Sequence, residues 1–190
     1  MSGTENLIEE HRLIAGVLDA FDAFVDRVER ESTHDHHDLV RFVTFFREYA
    51  DLVHHEKEEG LILPALASAG FDWDTGLLAE VRRDHNQERY LIRSLRHAAM
   101  QKERWSREDQ RHFASIARTF TEFVRKHVEK EEAILFPALR ERVSPEVGSE
   151  LARRVAQFDA RWSEHGELDW LRTLASELIA AHSSPARPGE

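Results

Sequence analysis

The sequence predicts an all-α protein, an up-down-up-down four-helix bundle with an additional C-terminal helical segment. The composition favours long helices over turn-rich β-structure, since 190 residues include only 8 Gly and 5 Pro and 33% are charged. Apolar residues recur at alternating steps of three and four in several long stretches, which is the period of an amphipathic helix. A 13-residue segment also occurs twice, at 54–66 and 127–139, with 8 identical positions, which indicates a duplicated helical hairpin.

The first helix is predicted to begin after Thr4, a residue type that caps helix N-termini. Its apolar stripe consists of Leu7, Ile14, Leu18, Phe21, Val25 and Val28. His11 fills the one gap in that stripe, so we expect its side chain to point into the protein. The polar stretch 31–38 then predicts a turn.

The second helix is predicted over about residues 38–67. Its inward stripe consists of Val43, Phe46, Ala50, His54, Glu58, Leu61 and Ala65. His54 and Glu58 share one face because they lie four residues apart, whereas the same α-helical spacing turns His55 away. Pro64 lacks an N–H group, so we expect a kink or a weakened helix there, and Gly70 marks the end.

The third and fourth helices repeat this pattern. The third should start near Asp74 or Thr75, and two polar residues, His85 and Glu88, interrupt its apolar stripe. Ser106 is a good N-cap for the fourth helix. The inward positions of that helix include Phe123 with Val124, His127, Glu131 and Ile134 with Leu135, and Pro137 follows as Pro64 does in the second helix.

A fifth helical pattern follows the repeat, and Gly166 is expected to divide it. Its apolar face carries Leu151, Val155, Phe158, Trp162, Leu168, Leu171, Leu174 and Leu178. We therefore expect three parts. Residues 1–143 form the bundle, residues 144–182 pack on it or form a dimer interface with Trp162 as an anchor, and residues 183–190 are a disordered tail.

Six polar residues are expected to meet in the bundle core. His11 and His85 lie near the starts of the first and third helices, and the two His–Glu pairs lie near the ends of the second and fourth. In an antiparallel bundle these starts and ends are at the same level. Buried ionised carboxylates cost several kcal/mol unless they are compensated, and no inward Lys or Arg of matching register is expected. The candidate metal ligands are therefore His11, His54, Glu58, His85, His127 and Glu131.

The donor set also predicts the kind of centre. A single tetrahedral zinc ion takes too few ligands for six residues, whereas two divalent ions with two bridging carboxylates use them all. Imidazole with carboxylate suits iron best, with manganese and zinc as alternatives. Glu88 lies one turn from His85, and the sequence leaves open an additional ligand, a support behind a ligand or a side chain that extends into solvent at the end of the bundle.

Charge and composition limit the partners. The net charge of −10 argues against nucleic acid and anionic membranes as partners. The absence of cysteine excludes disulfides and Cys-ligated clusters and fits a reducing compartment. Neither a signal peptide nor a membrane-spanning run is expected, so we predict a cytoplasmic protein.

The pattern resembles the hemerythrin-like (HHE cation-binding) domain family, whose signature is a His followed by HxxxE and an apolar-Pro segment, occurring twice. The matching residues lie between about 4 and 140: His11, His54-Glu58, Gly60 to Pro64, His85, His127-Glu131 and Ala133 to Pro137. The resemblance implies a four-helix bundle with a non-haem di-iron centre, bridged by the two glutamates and an oxo or hydroxo group.

One departure bears on function. Hemerythrin oxygen carriers have a second His one turn after the first on the third helix, and here that position is Arg89. We therefore expect one iron to lack that terminal His, which leaves either an open coordination position or a place for another donor. This argues against reversible oxygen carriage and favours small-molecule sensing or redox turnover.

Three functions remain open. The first is a di-iron protein that binds or reacts with O₂, NO or H₂O₂, including catalase- or peroxidase-like turnover. The second is a sensing module that acts through a partner surface, and the third is ferritin-like iron handling, which ranks last because Glu-x-x-His is absent from the third helix. The walls expected around the centre, Leu61, Val81, Phe123 and Ile134, favour small ligands.

Overall fold

The computed structural model describes residues 3–31, 36–101 and 105–183. Within these ranges the chain forms six helices and no strand, and the all-α prediction is confirmed. The helices are α1 (Gly3–Glu31), α2 (residues 36–68), α3 (Gly76–Met100), α4 (residues 107–142), α5 (Pro145–Ser163) and α6 (Glu167–His182). None of the described helices is both long enough and apolar enough to cross a membrane.

Helices α2 and α4 contain π-helical turns, in which each N–H bonds to the carbonyl five residues back. In α2 the α-helical segment His36–Phe45 is followed by π-helical Phe46–His55 and Glu58–Ile62, then by α-helical Leu63–Ser68. In α4, Arg107–Lys130 is followed by π-helical Glu131–Leu135 and α-helical Phe136–Arg142. The weakening expected at each proline thus takes the form of a π-helical turn directly before it.

The helix starts differ from the expectations in two places. Helix α1 already includes Gly3, so Thr4 lies buried within the helix and not before it. Helix α2 begins at His36 rather than near Asp38, and residues 32–35 of the predicted turn lie outside the described residues. Ser106 does cap α4, since its hydroxyl accepts from the Asp109 N–H at 3.2 Å and the Asp109 carboxylate accepts from the Ser106 N–H at 2.8 Å.

Helices α1 to α4 form the bundle, in which α1 packs along α4 and α3 packs against both α2 and α4. The chain after α4 turns back, so that α5 and α6 pack against α1 and α2, with a bend at Gly166. Helix α6 crosses α1 closely at Gly16, where an added Cβ would lie 3.0 Å from Cδ1 of Ile179. Residues 184–190 of the predicted disordered tail lie outside the described residues.

The interior has two apolar clusters with a polar layer between them. The larger cluster is rich in phenylalanine and includes Phe21, Phe24, Phe42, Phe46, Phe113 and Phe120. The smaller one lies at the other end and includes Leu7, Leu63, Leu66, Leu78, Leu135 and Phe136. On all four bundle helices the buried His and Glu side chains lie between members of the two clusters. The fold therefore places them at one level, as the antiparallel arrangement requires.

Candidate metal centre

Two groups of four buried residues meet at this level, and in each group the potential ligand atoms lie within 4.8 Å of one another. One group is His11, His54, Glu58 and Glu131, and the other is His55, Glu58, His85 and His127. The structure thus brings together all six of the predicted residues and adds His55. We name the two histidine sets the His11 side (His11 and His54) and the His85 side (His55, His85 and His127).

The two glutamates lie between these sides. Oε1 of Glu58 is 3.7 Å from Nε2 of His54, and its Oε2 is 3.3 Å from Nε2 of His85. Oε2 of Glu131 is 3.3 Å from Nε2 of His11, and its Oε1 is 3.1 Å from Nε2 of His127. Each carboxylate therefore directs one oxygen to each side, so that the two carboxylates could bridge two ions.

The buried polar atoms fit a metal centre. All four carboxylate oxygens of Glu58 and Glu131 are buried without a hydrogen-bond partner of good geometry, as is Nε2 of His85. Uncompensated carboxylates in an apolar interior are strongly unfavourable. The Nε2 atoms of His11 and His54 lie only 3.0 Å apart, so one ion could bind both nitrogens. Divalent cations between these atoms would compensate the charges and use the free lone pairs.

His127 and Glu131 shift each other's pKa values in opposite directions. Burial lowers the pKa of His127, but the adjacent Glu131 charge outweighs it and raises this pKa to about 10. Burial raises the pKa of Glu131, yet His127 and the surrounding imidazoles hold it well below the usual range. The opposite shifts of the two pKa values show that this imidazole and this carboxylate interact strongly. Metal binding would compete with protons for the histidines, because the ligands must be deprotonated.

A carboxylate lies behind each of the four predicted histidine ligands. Nδ1 of His11 is 2.9 Å from Oε1 of Glu132, and Nδ1 of His85 is 2.7 Å from Oε1 of Glu59. For the other two histidines, Nδ1 of His54 is 2.9 Å from Oε2 of Glu10, and Nδ1 of His127 is 3.5 Å from Oδ2 of Asp84. An ionised carboxylate only accepts, so at His11, His54 and His85 the Nδ1–H donates and Nε2 is left free to bind metal. At His127 the contact with Asp84 is an ion pair, without a hydrogen bond of good geometry.

A match to known proteins agrees with this geometry. The model of the hemerythrin HHE cation-binding domain matches residues 2–139. The chain belongs to this family. Its members bind metal ions, usually iron. Comparison with curated proteins and with solved structures gave no significant match. Helices α5 and α6 lie beyond the matched region, and the features below describe how this HHE domain is built.

His55 corrects the sequence-based expectation. It was expected to face away from the stripe, but it is buried and its ring stacks on His85 with the centroids 4.0 Å apart. The reason is the π-helical segment Phe46–His55, which takes in one more residue per hydrogen-bonded turn and widens the inward face. Burial, with the neighbouring histidines, holds the pKa of His55 well below the usual value, so its ring is neutral. Of the two possibilities left by Arg89, an open position or another donor, the geometry favours another donor, since His55 lies in the group of potential ligands on the His85 side.

Arg89, at the position where oxygen carriers have a ligand, supports two ligands instead. Its Nε donates to Oδ1 of Asp51 at 2.7 Å, and its Nη2 lies 2.9 Å from Oε1 of Glu59. Asp51 lies behind His55, with Oδ1 3.6 Å from Nδ1, and Glu59 lies behind His85. The guanidinium thus holds both the carboxylate that accepts from His85 and the carboxylate that lies beside Nδ1 of His55.

Glu88 points into the His85 side. Its carboxylate is fully buried, Oε2 is 3.7 Å from Nε2 of His55, and neither oxygen has a hydrogen-bond partner of good geometry. Burial raises the pKa of Glu88 to about 7. Of the readings that the sequence left open, a solvated side chain at the bundle end is excluded by this burial.

Two further expectations about the surroundings are wrong. Ile134 is 53% exposed and is not part of the wall, since the π-helical turn Glu131–Leu135 directs Leu135 and Phe136 inward instead. Lys57 is a fully buried cation where none was expected. Its charge does not compensate the bridging glutamates, because its ammonium contacts Glu10 and Asp159. Leu61 and Val81 are buried in the smaller apolar cluster, as the sequence predicts.

Proposed function

We propose that this HHE domain is a non-haem di-iron protein that binds or reacts with small oxidants, namely O₂, NO or H₂O₂. The observation that supports this most directly is the pair of carboxylates, Glu58 and Glu131, each with one oxygen toward either histidine side. Iron is the metal that we propose, since imidazole with carboxylate donors suits it. Bound iron would supply one-electron redox chemistry that the side chains of this chain lack.

The proposed ligands are His11 and His54 on one side, and His55, His85 and His127 on the other, with Glu58 and Glu131 between them. Glu88 is proposed as an additional carboxylate near the ion of the His85 side. These side chains would hold the ions, and bulk water is excluded because the apolar clusters close the layer at both ends. Only a small ligand suits such a site.

The test uses the full chain loaded with Fe²⁺ without oxygen. We expect two irons per chain by elemental analysis, and new absorption bands of ferric iron soon after air or peroxide is added. Rapid disproportionation of peroxide would indicate an enzyme, whereas a stable adduct with O₂ or NO would indicate a carrier or sensor. A reduced, iron-loaded protein that stays colourless in air and ignores peroxide for hours would contradict the proposal, and passive metal binding would replace it.

A second function, sensing, is favoured by one contact. Asp159 of α5 reaches the buried Lys57 three residues after His54, so a helix outside the matched domain contacts the support of a proposed ligand. In that case occupancy of the site would alter a partner surface formed by α5 and α6. Nitric oxide or iron binding that changes proteolysis within residues 145–183 would support sensing, and unchanged cleavage would argue against it.

Location and assembly are also proposals. We propose a cytoplasmic protein with small diatomic or peroxide ligands and no nucleic-acid or membrane partner, on the basis of its net charge and lack of cysteine. A homodimer through the C-terminal helices is proposed because Trp170 on α6 and Val40 on α2 remain exposed around one shared groove. Sedimentation at several protein concentrations would test the dimer.

A further inference from the structure

Lys57 is a fully buried cation whose three N–H donors meet three acceptors. The first is Oε1 of Glu10, the second is Oδ1 of Asp159 at 2.8 Å, and the third is Oδ1 of Asn6 at 3.3 Å. A buried ammonium is stable only when it is paired and hydrogen-bonded, so these partners explain how Lys57 is tolerated.

Glu10 is shared between this cation and the metal centre. Its Oε1 accepts from Lys57, and its Oε2 accepts from Nδ1 of His54 at 2.9 Å. Any change in how strongly Lys57 holds Glu10 therefore reaches the ring of a proposed metal ligand.

Asp159 is the second anion in contact with Lys57, and it therefore affects how strongly Lys57 attracts Glu10. It is 17% exposed on α5, accepts from the Asn6 amide at 3.2 Å, and supplies the second negative charge beside Lys57. Phe158, its neighbour, has its ring centroid 5.8 Å from Nζ of Lys57. Without Asp159, Glu10 would be the only anion beside Lys57. The stronger attraction between these two groups would draw the Glu10 carboxylate away from His54.

The repeat provides an internal comparison. In the second repeat Lys130 corresponds to Lys57 and Asp84 corresponds to Glu10. Nζ of Lys130 is 2.6 Å from Oδ2 of Asp84. Lys130 is 30% exposed, so water can solvate its charge. Lys57 is buried and has no such access to solvent. The carboxylate of Asp159, on α5, contacts its ammonium instead of water.

We propose that Asp159, on a helix outside the matched domain, is a positioning residue for the metal centre. Asp159 balances part of the charge of Lys57, so that Oε2 of Glu10 can keep its hydrogen bond to His54. In this way α5 influences the geometry of the His11 side. The proposal rests on metal binding at the proposed site, but not on the identity of the metal or on any reaction with oxidants.

The test uses the full chain with Co²⁺, a probe that does not depend on the proposed redox chemistry. Affinities of the two ions are measured by chelator competition, and the imidazole N–H signals of the cobalt protein are followed by proton NMR in water. For Asp159→Asn we expect about tenfold weaker binding of one ion, the size usual for support of a ligand, with faster exchange of the His54 Nδ1–H and an unchanged His127 signal.

Two variants separate positioning from ordinary packing. Lys57→Met/Asp159→Asn removes both charges, so Glu10 is again committed to His54 and the affinity should return to that of the unchanged protein. Glu150→Gln, which removes an exposed ion pair with Arg153 on the same helix, should change neither affinity nor NMR signal. If Asp159→Asn does not fold, Asn6→Ala weakens the same support without unpairing a charge and should give a smaller loss at the same ion.

The outcomes are distinct. A lower melting temperature in Asp159→Asn with both affinities and the His54 signal unchanged would overturn the proposal, since Asp159 would then only hold α5 in place. An equal loss at both ions, or no recovery in the double variant, would also overturn it. If the unchanged protein binds no Co²⁺, the metal centre itself fails, which is a separate result from failure of the positioning role.

Discussion

The two sides of the metal centre come from repeated segments, yet they are not equivalent. The repeat supplies both with an HxxxE pair, an upstream His and a carboxylate behind each of these rings. The His85 side has in addition a third imidazole, from His55, and the buried carboxylate of Glu88. The His11 side has only two imidazoles and is covered by α5 through Lys57.

Three sequence differences between the hairpins account for most of this asymmetry, and all three add to the His85 side. When the segments are aligned, His55 corresponds to Val128, Glu88 to Ile14 and Arg89 to Ala15. The repeat therefore provides the histidines and glutamates that both sides share. The single differences between the repeats then add potential metal ligands, and a residue that supports them, to the His85 side. An ion bound at the His11 side would therefore have more coordination positions for water, which a small ligand could displace.

The largest effect is expected from removing what the two sides share. In Glu58→Gln/Glu131→Gln, neutral amides cannot compensate two divalent ions, so metal content should fall from two per chain to nearly none. The melting temperature measured with metal present should fall with it, because bound metal stabilises only the folded state. The matched control is Glu56→Gln/Glu129→Gln, which changes the exposed glutamates at equivalent places of the repeat. Full metal content in the first variant would refute the ligand assignment.

The next largest effect is expected from making the sides more alike. His55→Val installs the residue of the other repeat and removes one donor from the His85 side. We expect at least about tenfold weaker binding of one ion, with the other ion retained. His97→Val, at an exposed histidine of α3, serves as the control. Two unchanged affinities would mean that His55 is buried for packing alone.

A smaller loss is expected from loosening the support of the His85 side. Arg89→Met frees Asp51 and Glu59 from the guanidinium and so weakens the orientation of His55 and His85. Affinity for one ion should fall by about tenfold, as for other residues behind metal ligands. Arg93→Met is the control, because Arg93 is exposed on the same helix. Equal losses at both ions would contradict a role confined to one side.

The smallest effect is expected at Glu88. Glu88→Ala should keep most of the iron, since the five histidines and two bridging glutamates remain, but the optical spectrum of the oxidised protein should shift. Gln87→Ala, exposed beside it, should leave the spectrum unchanged. An unaltered spectrum in Glu88→Ala would assign Glu88 to packing and not to the surroundings of an ion.

The fold and six of the proposed ligands follow from periodicity because α-helical spacing holds over most of the bundle. It holds at His11, His85 and His127, each of which replaces an apolar residue in a stripe of α-helical spacing. Within the π-helical segments it predicts some inward positions and misses others. His54, Glu58 and Glu131 are buried as predicted, whereas the wrong exclusion of His55 and the wrong inclusion of Ile134 also arise there. Nothing in the spacing of residues 46–55 reports the change of hydrogen-bonding pattern.

The supporting residues could not be predicted for a different reason. Glu10, Glu59, Asp84 and Glu132 resemble the charged residues that cover any amphipathic helix. Their role depends on which neighbouring helix they meet, and that is a tertiary property. Lys57 is the clearest case, since a lysine beside an HxxxE pair is expected in solvent. It is buried because α5, which follows it by about a hundred residues, covers it with Asp159.

The crossed pairing of histidines and supporting carboxylates has a consequence for the order in which the protein can mature. Glu132 lies 121 residues after His11, and Glu59 lies 26 residues before His85, so each hairpin completes the other. During synthesis the first hairpin emerges with His11 unsupported and with only one of the two bridging carboxylates. We therefore expect a ribosome-bound chain to capture metal tightly only after the fourth helix has emerged, so that iron uptake is a late event that follows folding of the whole bundle.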